Sequence, residues 1–191
     1  GTGKTAGFTL PMLQRLMAHK SPREEGPQGG PLRGPRGKLP IRERIANGAT
    51  LDDILIEDGQ VAAFSRSETT HAAMGRFGNV LLVGGEPELA LTARAGEVVR
   101  LFFTNTANTR VFKVALPGAR MKLVGGDSGR VEREQFIEDV VLAPSERAVV
   151  DVLFNAPGPL RLEHRTPERT YTLAEVTVTE DSAVPSLGDA F

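Results

Sequence analysis

Cysteine is absent from all 191 residues. That excludes disulfides, thiolate zinc sites, iron–sulfur clusters and cysteine nucleophiles. It also excludes a blue copper centre, which needs one Cys thiolate beside two imidazoles. Histidine is nearly as scarce: His19, His71 and His164 lie far apart and form no H-x-H or H-E-x-x-H pair. Neither sign of charge dominates. The formal net charge is -1, so neither nucleic acid nor an anionic membrane is expected as a partner. No run approaches the roughly 18 apolar residues of a membrane span. The chain opens on Gly rather than Met, and no basic–apolar–cleavage pattern follows, so no secretory signal peptide is expected. The compartment stays open.

What is present is an ordinary globular mixture, 40% hydrophobic and 25% charged. It is distributed unevenly. In residues 1–20, Leu10, Met12, Leu13, Leu16 and Met17 recur at roughly helical spacing and predict a short N-terminal helix. Residues 21–41 begin "SPREEGPQGGPLRGPRGKLP", rich in Pro and Gly and almost devoid of large apolar side chains. Such a stretch cannot bury a core and is expected to be a disordered linker. From about residue 50 the pattern turns to short strands. In "LDDILIEDGQVAAF" the Asp58-Gly59 pair sits between apolar runs, a hairpin signal. "ELALTARAGEVVRLFFTNT" repeats the scheme around Ala95-Gly96, and "DVVLAPSERAVVDVLF" around Pro144-Ser145. "VFKVALPG" alternates Phe112, Val114 and Leu116 against Val111, Lys113 and Ala115. Strands at this spacing with no helix between them predict an all-β Greek-key sandwich over 42–180, followed by a tail over 181–191.

The opening "GTGKTAGFTL" ends like a phosphate-binding loop, G-x-x-x-x-G-K-[ST], with Gly3, Lys4 and Thr5 as the nucleotide-contacting residues. In a working loop, Lys reaches the terminal phosphates and Thr holds magnesium. The first half of the loop would lie before residue 1, and no later strand ends in paired acids. "GTGKTAGFTLPMLQRL" resembles motif I of DEAD-box RNA helicases and the helix behind it, over about the first 20 residues. The expectation is a vestigial nucleotide loop with no ATPase role in this chain. The alternative is a fragment of an ATP-dependent helicase carrying a β tail.

A second resemblance covers residues 50–179. "FGNVLLVGGEPE", "AGEVVRLFFTNTANTR", "MKLVGGDSGR" and "VVLAPSERAVVDVLF" together resemble the middle, cupredoxin-like domain of three-domain, laccase-like multicopper oxidases. Gly84 stands where that family has Asn, and Gly84-Gly85 is still expected to turn. The resemblance implies a domain without copper ligands, since the outer domains carry them in H-x-H and H-C-H motifs. It implies flanking cupredoxin domains as partners and no cofactor in this chain. It also implies a parent enzyme, often periplasmic or secreted, that oxidises phenols or metal ions and reduces oxygen to water. No catalytic or metal-binding residue is assigned here. A free-standing β-sandwich binding module is a further alternative.

The chemistry-bearing residues have structural readings. In the place where copper-bearing relatives put Cys, His and Met, "LEHRTPERTYTL" offers His164 alone, expected as a strand-end residue bonded to backbone. His71 is expected in a loop, and His19 at a helix end. Asn105 and Asn108 suit side-chain bonds to backbone, Asp127 can accept loop N–H groups, and Arg147 can hold a carboxylate or carbonyl. The acid pairs Asp52-Asp53 and Glu57-Asp58 are expected to face solvent, and Arg165 and Arg169 to pair locally beside Glu168. Two unrelated resemblances meeting at a Pro/Gly stretch suggest a fusion or a mis-joined reading frame.

Overall fold

The computed structural model describes residues 48–65, 67–184 and 186–191. Gly3, Lys4 and Thr5, the helix expected within 1–20, the linker over 21–41 and His19 all lie outside them.

Eleven of the strands form two sheets. The six-stranded sheet has the order β4 (Val80–Val83), β1 (Gly48–Ile54), β6 (Val98–Asn105), β11 (Arg147–Leu153), β8 (Arg120–Gly126), β9 (Gly129–Ile137). The five-stranded sheet has the order β10 (Asp139–Leu142), β7 (Phe112–Ala115), β12 (Gly158–Arg165), β13 (Thr170–Ser182), β5 (Leu89–Ala95). A separate ribbon pairs β2 (Ile56–Glu57) with β3 (Gln60–Val61). Alternation along each strand explains the two layers. Leu101 and Phe103 of β6, Val150 and Val152 of β11, Leu162 of β12 and Val176 and Val178 of β13 all point into one buried core.

The Asp58-Gly59 hairpin forms as its sequence predicts. Both residues have positive φ, 50° and 75°, the paired left-handed conformation that joins twisted strands tightly. The other two expected hairpins are different objects. β5 and β6 flank Ala95-Gly96, and β10 and β11 flank Pro144-Ser145, yet in each case the two strands lie in different sheets. The turns are corners of the sandwich. At the first, the Gly96 N–H donates to the Phe154 carbonyl at 2.7 Å instead of closing a ladder. At the second, the Glu146 N–H closes on the Ala143 carbonyl at 3.0 Å, with Pro144 leading and Ser145 at φ 73°. A local turn signal specifies reversal, and the pairing partner is chosen by burial on both faces.

A six-residue helix, α1 (Thr69–Met74), appears where only loop was expected. It buries none of its residues, so it leaves no apolar stripe in the sequence. β9, "GRVEREQFI", is an exposed edge strand carrying both signs of charge; a charged edge discourages pairing with other chains. No helix among the described residues is long and apolar enough to cross a membrane.

Candidate functional site

One end of the sandwich carries a buried polar layer. β1 alternates Ala49, Leu51 and Asp53, and the inward phase therefore brings a carboxylate to the core's end. The Asp53 side chain is 0% exposed and Arg110 14%. Arg110, in the β6–β7 loop, donates from Nε to Asp53 Oδ2 at 2.9 Å and from Nη2 to the Gly78 carbonyl at 2.8 Å. The Gly78 N–H donates to the same carboxylate oxygen. The expectation that Asp53 faces solvent is thus corrected: its partner is 57 residues away in sequence. Asp52 points the other way and is half-buried, and its carboxyl is pushed above the ordinary carboxylate range by that burial.

Asn105 ends β6 fully buried and makes three bonds. Its Nδ2 donates to the Arg110 carbonyl at 2.8 Å and the Leu142 carbonyl at 2.9 Å, while Oδ1 accepts from Ala107 N–H at 3.0 Å. It ties the β6–β7 loop to β10, the side-chain-to-backbone role its loop predicts. Asn108 does the same for the preceding excursion, accepting from Arg76 N–H at 2.9 Å.

That excursion, residues 55–79 between β1 and β4, is pinned from several sides. Asn79 bonds both backbone groups of Ile56, at 2.8 and 2.9 Å. The Arg76 guanidinium donates to the Ala62 and Ala63 carbonyls at 3.1 and 2.9 Å. Thr109 Oγ1 donates to the Met74 carbonyl at 3.0 Å. Gly78 lies so close to β1 that a Cβ there would sit 2.5 Å from the Ile54 backbone. What this scaffold displays is apolar: Phe64 is 41% exposed, Phe77 60%, Val61 64% and Met74 74%. Neighbouring Val111 is exposed as well. Arg76 and Arg110 lie under two of these rings, 5.5 Å from Phe64 and 5.1 Å from Phe77.

His164 sits at the same end, on β12, 2% exposed. Its Nδ1 accepts the Lys113 N–H at 3.1 Å, as the expected backbone bond. The ring lies 4.9 Å from Phe112 and 5.6 Å, nearly parallel, from Tyr171. Burial holds its pKa below the ordinary imidazole value; the Arg110 charge reinforces this and the Asp53 charge opposes it. One nitrogen is engaged, the ring is walled by aromatics, and neither Cys nor a second His adjoins it. These donors do not fit a copper ion. Among the described residues no group of three or more His, Asp or Glu could hold a metal.

The remaining sequence candidates are dispersed. Arg147 pairs with Asp127 at 2.8 Å, joining two residues that the sequence marked separately. Arg165 pairs with Glu163 at 2.9 Å rather than with Glu168, and Arg169 lies 4.8 Å over the Tyr171 ring. His71 belongs to α1, not to a loop. An open cleft of about 410 Å³ lies between the β7–β8 loop and the end of β9, with Arg120 and Arg165 at its rim. Both cations are already engaged, Arg120 over Phe136 and Phe191 and Arg165 with Glu163.

No protein-family model matches the sequence, and no curated protein matches it. Solved structures do match. A multicopper oxidase from Pseudomonas thermotolerans aligns with a TM-score of 0.60 at 26% identity, over 71% of this chain and 32% of its own. A laccase-like multicopper oxidase from Ochrobactrum sp., active towards lignin model compounds, aligns at 0.59 and 24% identity, over 70% and 30%. McoA from Aquifex aeolicus aligns at 0.60 and 21%, over 71% and 32%. The described sandwich therefore has the cupredoxin-like fold found in multicopper oxidases. The chain spans about a third of the length of these relatives.

Proposed function

We propose that this chain is the non-copper, structural domain of a laccase-like multicopper oxidase, serving to seat the cupredoxin-like domains beside it. The observation that carries the reading is the pinned excursion. An isolated domain gains nothing by holding Phe64, Met74 and Phe77 in place in water, whereas an apolar face fixed by a set of side-chain-to-backbone bonds suits a permanent domain contact. The fold likeness and the one-third share of the relatives' length support the same reading. On it, the parent enzyme oxidises phenols or metal ions and reduces oxygen to water, and the copper ligands belong to the flanking domains. The helicase-like opening with Gly3, Lys4 and Thr5 is read as a segment foreign to the sandwich, without a nucleotide role.

The test is a copper titration of the purified chain followed by isothermal calorimetry and metal analysis, with oxygen uptake measured on a simple phenol. The expected result is no stoichiometric copper and no oxygen consumption. A tight one-to-one site, or any turnover, would refute the structural role.

A further inference from the structure

The joint between β7 and β12 is the thinnest in the five-stranded sheet. Its register comprises two pairs, Glu163↔Ala115 and His164↔Val114, beside eight between β12 and β13. One position further along, the Lys113 N–H donates to an imidazole in place of a ladder carbonyl. A side chain thus closes the seam where backbone pairing stops.

That bond requires a lone pair on Nδ1. The neutral imidazole provides it and carries its proton on Nε2. A protonated ring has N–H at both nitrogens, so the Lys113 donor would then face another donor at about 3 Å. We propose that His164 is an acid-sensitive clasp on this seam: its protonation expels the Lys113 amide and loosens the β7–β12 joint at that position.

The surroundings set how the clasp responds. From β7, the Lys113 ammonium points away to Asp139 of β10, at 3.2 Å. From β13 comes Tyr171, with the Arg169 guanidinium 4.8 Å over its ring. Glu163 and Arg165, flanking His164 on β12, neutralise each other. The Arg110 charge disfavours the imidazolium and the Asp53 charge favours it. His164 Nε2 and Asp53 Oδ1 are both buried without a protein hydrogen-bond partner. The added charge is therefore poorly accommodated in the closed form, and opening relieves it. Arg110 stands two residues before β7, so movement of that strand would reach the Asp53–Arg110–Gly78 cluster.

The test is amide hydrogen exchange by NMR on the whole chain between pH 7.5 and 5.0, corrected for intrinsic rates. The His164 ring nitrogens are followed in the same samples. Protection of Lys113 should fall about tenfold, the worth of one lost hydrogen bond, in step with the His164 titration. Val150 and Leu101, in the other sheet, should stay protected. His164→Gln, which offers an acceptor that does not titrate, should keep Lys113 protected throughout. The proposal is overturned if His164 titrates while Lys113 protection holds, if all strands lose protection together, or if His164 stays neutral until the domain unfolds. Should the Gln variant not fold, the wild-type titration alone decides between these outcomes.

Discussion

Replacing Arg110 with Met is the most informative single perturbation of the polar layer. Met keeps most of the aliphatic stem but removes the charge over the Phe77 ring, the Nε bond to Asp53 and the Nη2 bond to the Gly78 carbonyl. Asp53 has no exposed side-chain surface and would keep only the Gly78 N–H. Removing one partner of a buried ion pair costs about 3–5 kcal/mol, chiefly from the charge left behind. We expect the lower part of that range, about 3 kcal/mol, because the Gly78 bond survives. That is a large share of the about 5–15 kcal/mol that holds a typical domain. The chain has no Trp and a single Tyr, so urea unfolding is best followed by far-ultraviolet circular dichroism. Asp53→Asn in the Arg110→Met background should recover about 2 kcal/mol, since it removes the stranded charge. A loss below about 1 kcal/mol for Arg110→Met, or simple additivity in the double variant, would refute the buried-pair account.

Further outcomes follow from the same geometry. Asn105→Ala leaves the Arg110 and Leu142 carbonyls and the Ala107 N–H without their partner, and should cost about 3 kcal/mol by urea midpoint. Gly78→Ala drives a Cβ against the Ile54 backbone; it should cost about 2 kcal/mol and deprotect the Asn79 amide in hydrogen exchange. The pH dependence has a definite sign. His164 has a folded pKa below the unfolded value of 6.5, so the unfolded chain takes up the proton first. Its contribution is complete above pH 6.5 and is lost as pH falls towards the folded value. Melting temperature should therefore drop on acidification through that window, and less so in His164→Gln. Asp52 acts oppositely, its folded pKa being raised above 3.8: stability falls as pH rises through the window above that value, and Asp52→Asn should remove that slope.

The sequence carried the architecture further than the pairing. Alternation and turn residues were enough for a Greek-key sandwich, and Asp58-Gly59 even specified its own hairpin, because a two-residue turn is a local event. Gly96 and Ser145 look the same locally, yet they turn corners between sheets, a choice made by burial across the whole domain. His164 and Asn105 were legible because their partners are backbone groups, which every strand offers. Asp53 was not, because its burial depends on Arg110 in a distant loop and on Gly78 at close approach. "DD" in a strand reads as solvated unless the alternation of Ala49 and Leu51 is extended one step, and that extension is the signal that could have found it. The six-residue α1 carried no signal, since it buries nothing and is held by bonds from the β6–β7 loop.

The central claim is that the sandwich is the middle, copper-free domain of a multicopper oxidase. The most direct measurement is a single-molecule DNA read through the coding region and well beyond both ends. The account predicts an in-frame H-x-H motif upstream or an H-C-H motif downstream, within reach of further cupredoxin-like strand patterns. An upstream frame that completes the phosphate loop before Gly3, with no copper ligands downstream, would contradict it and leave the oxidase likeness as a fold alone.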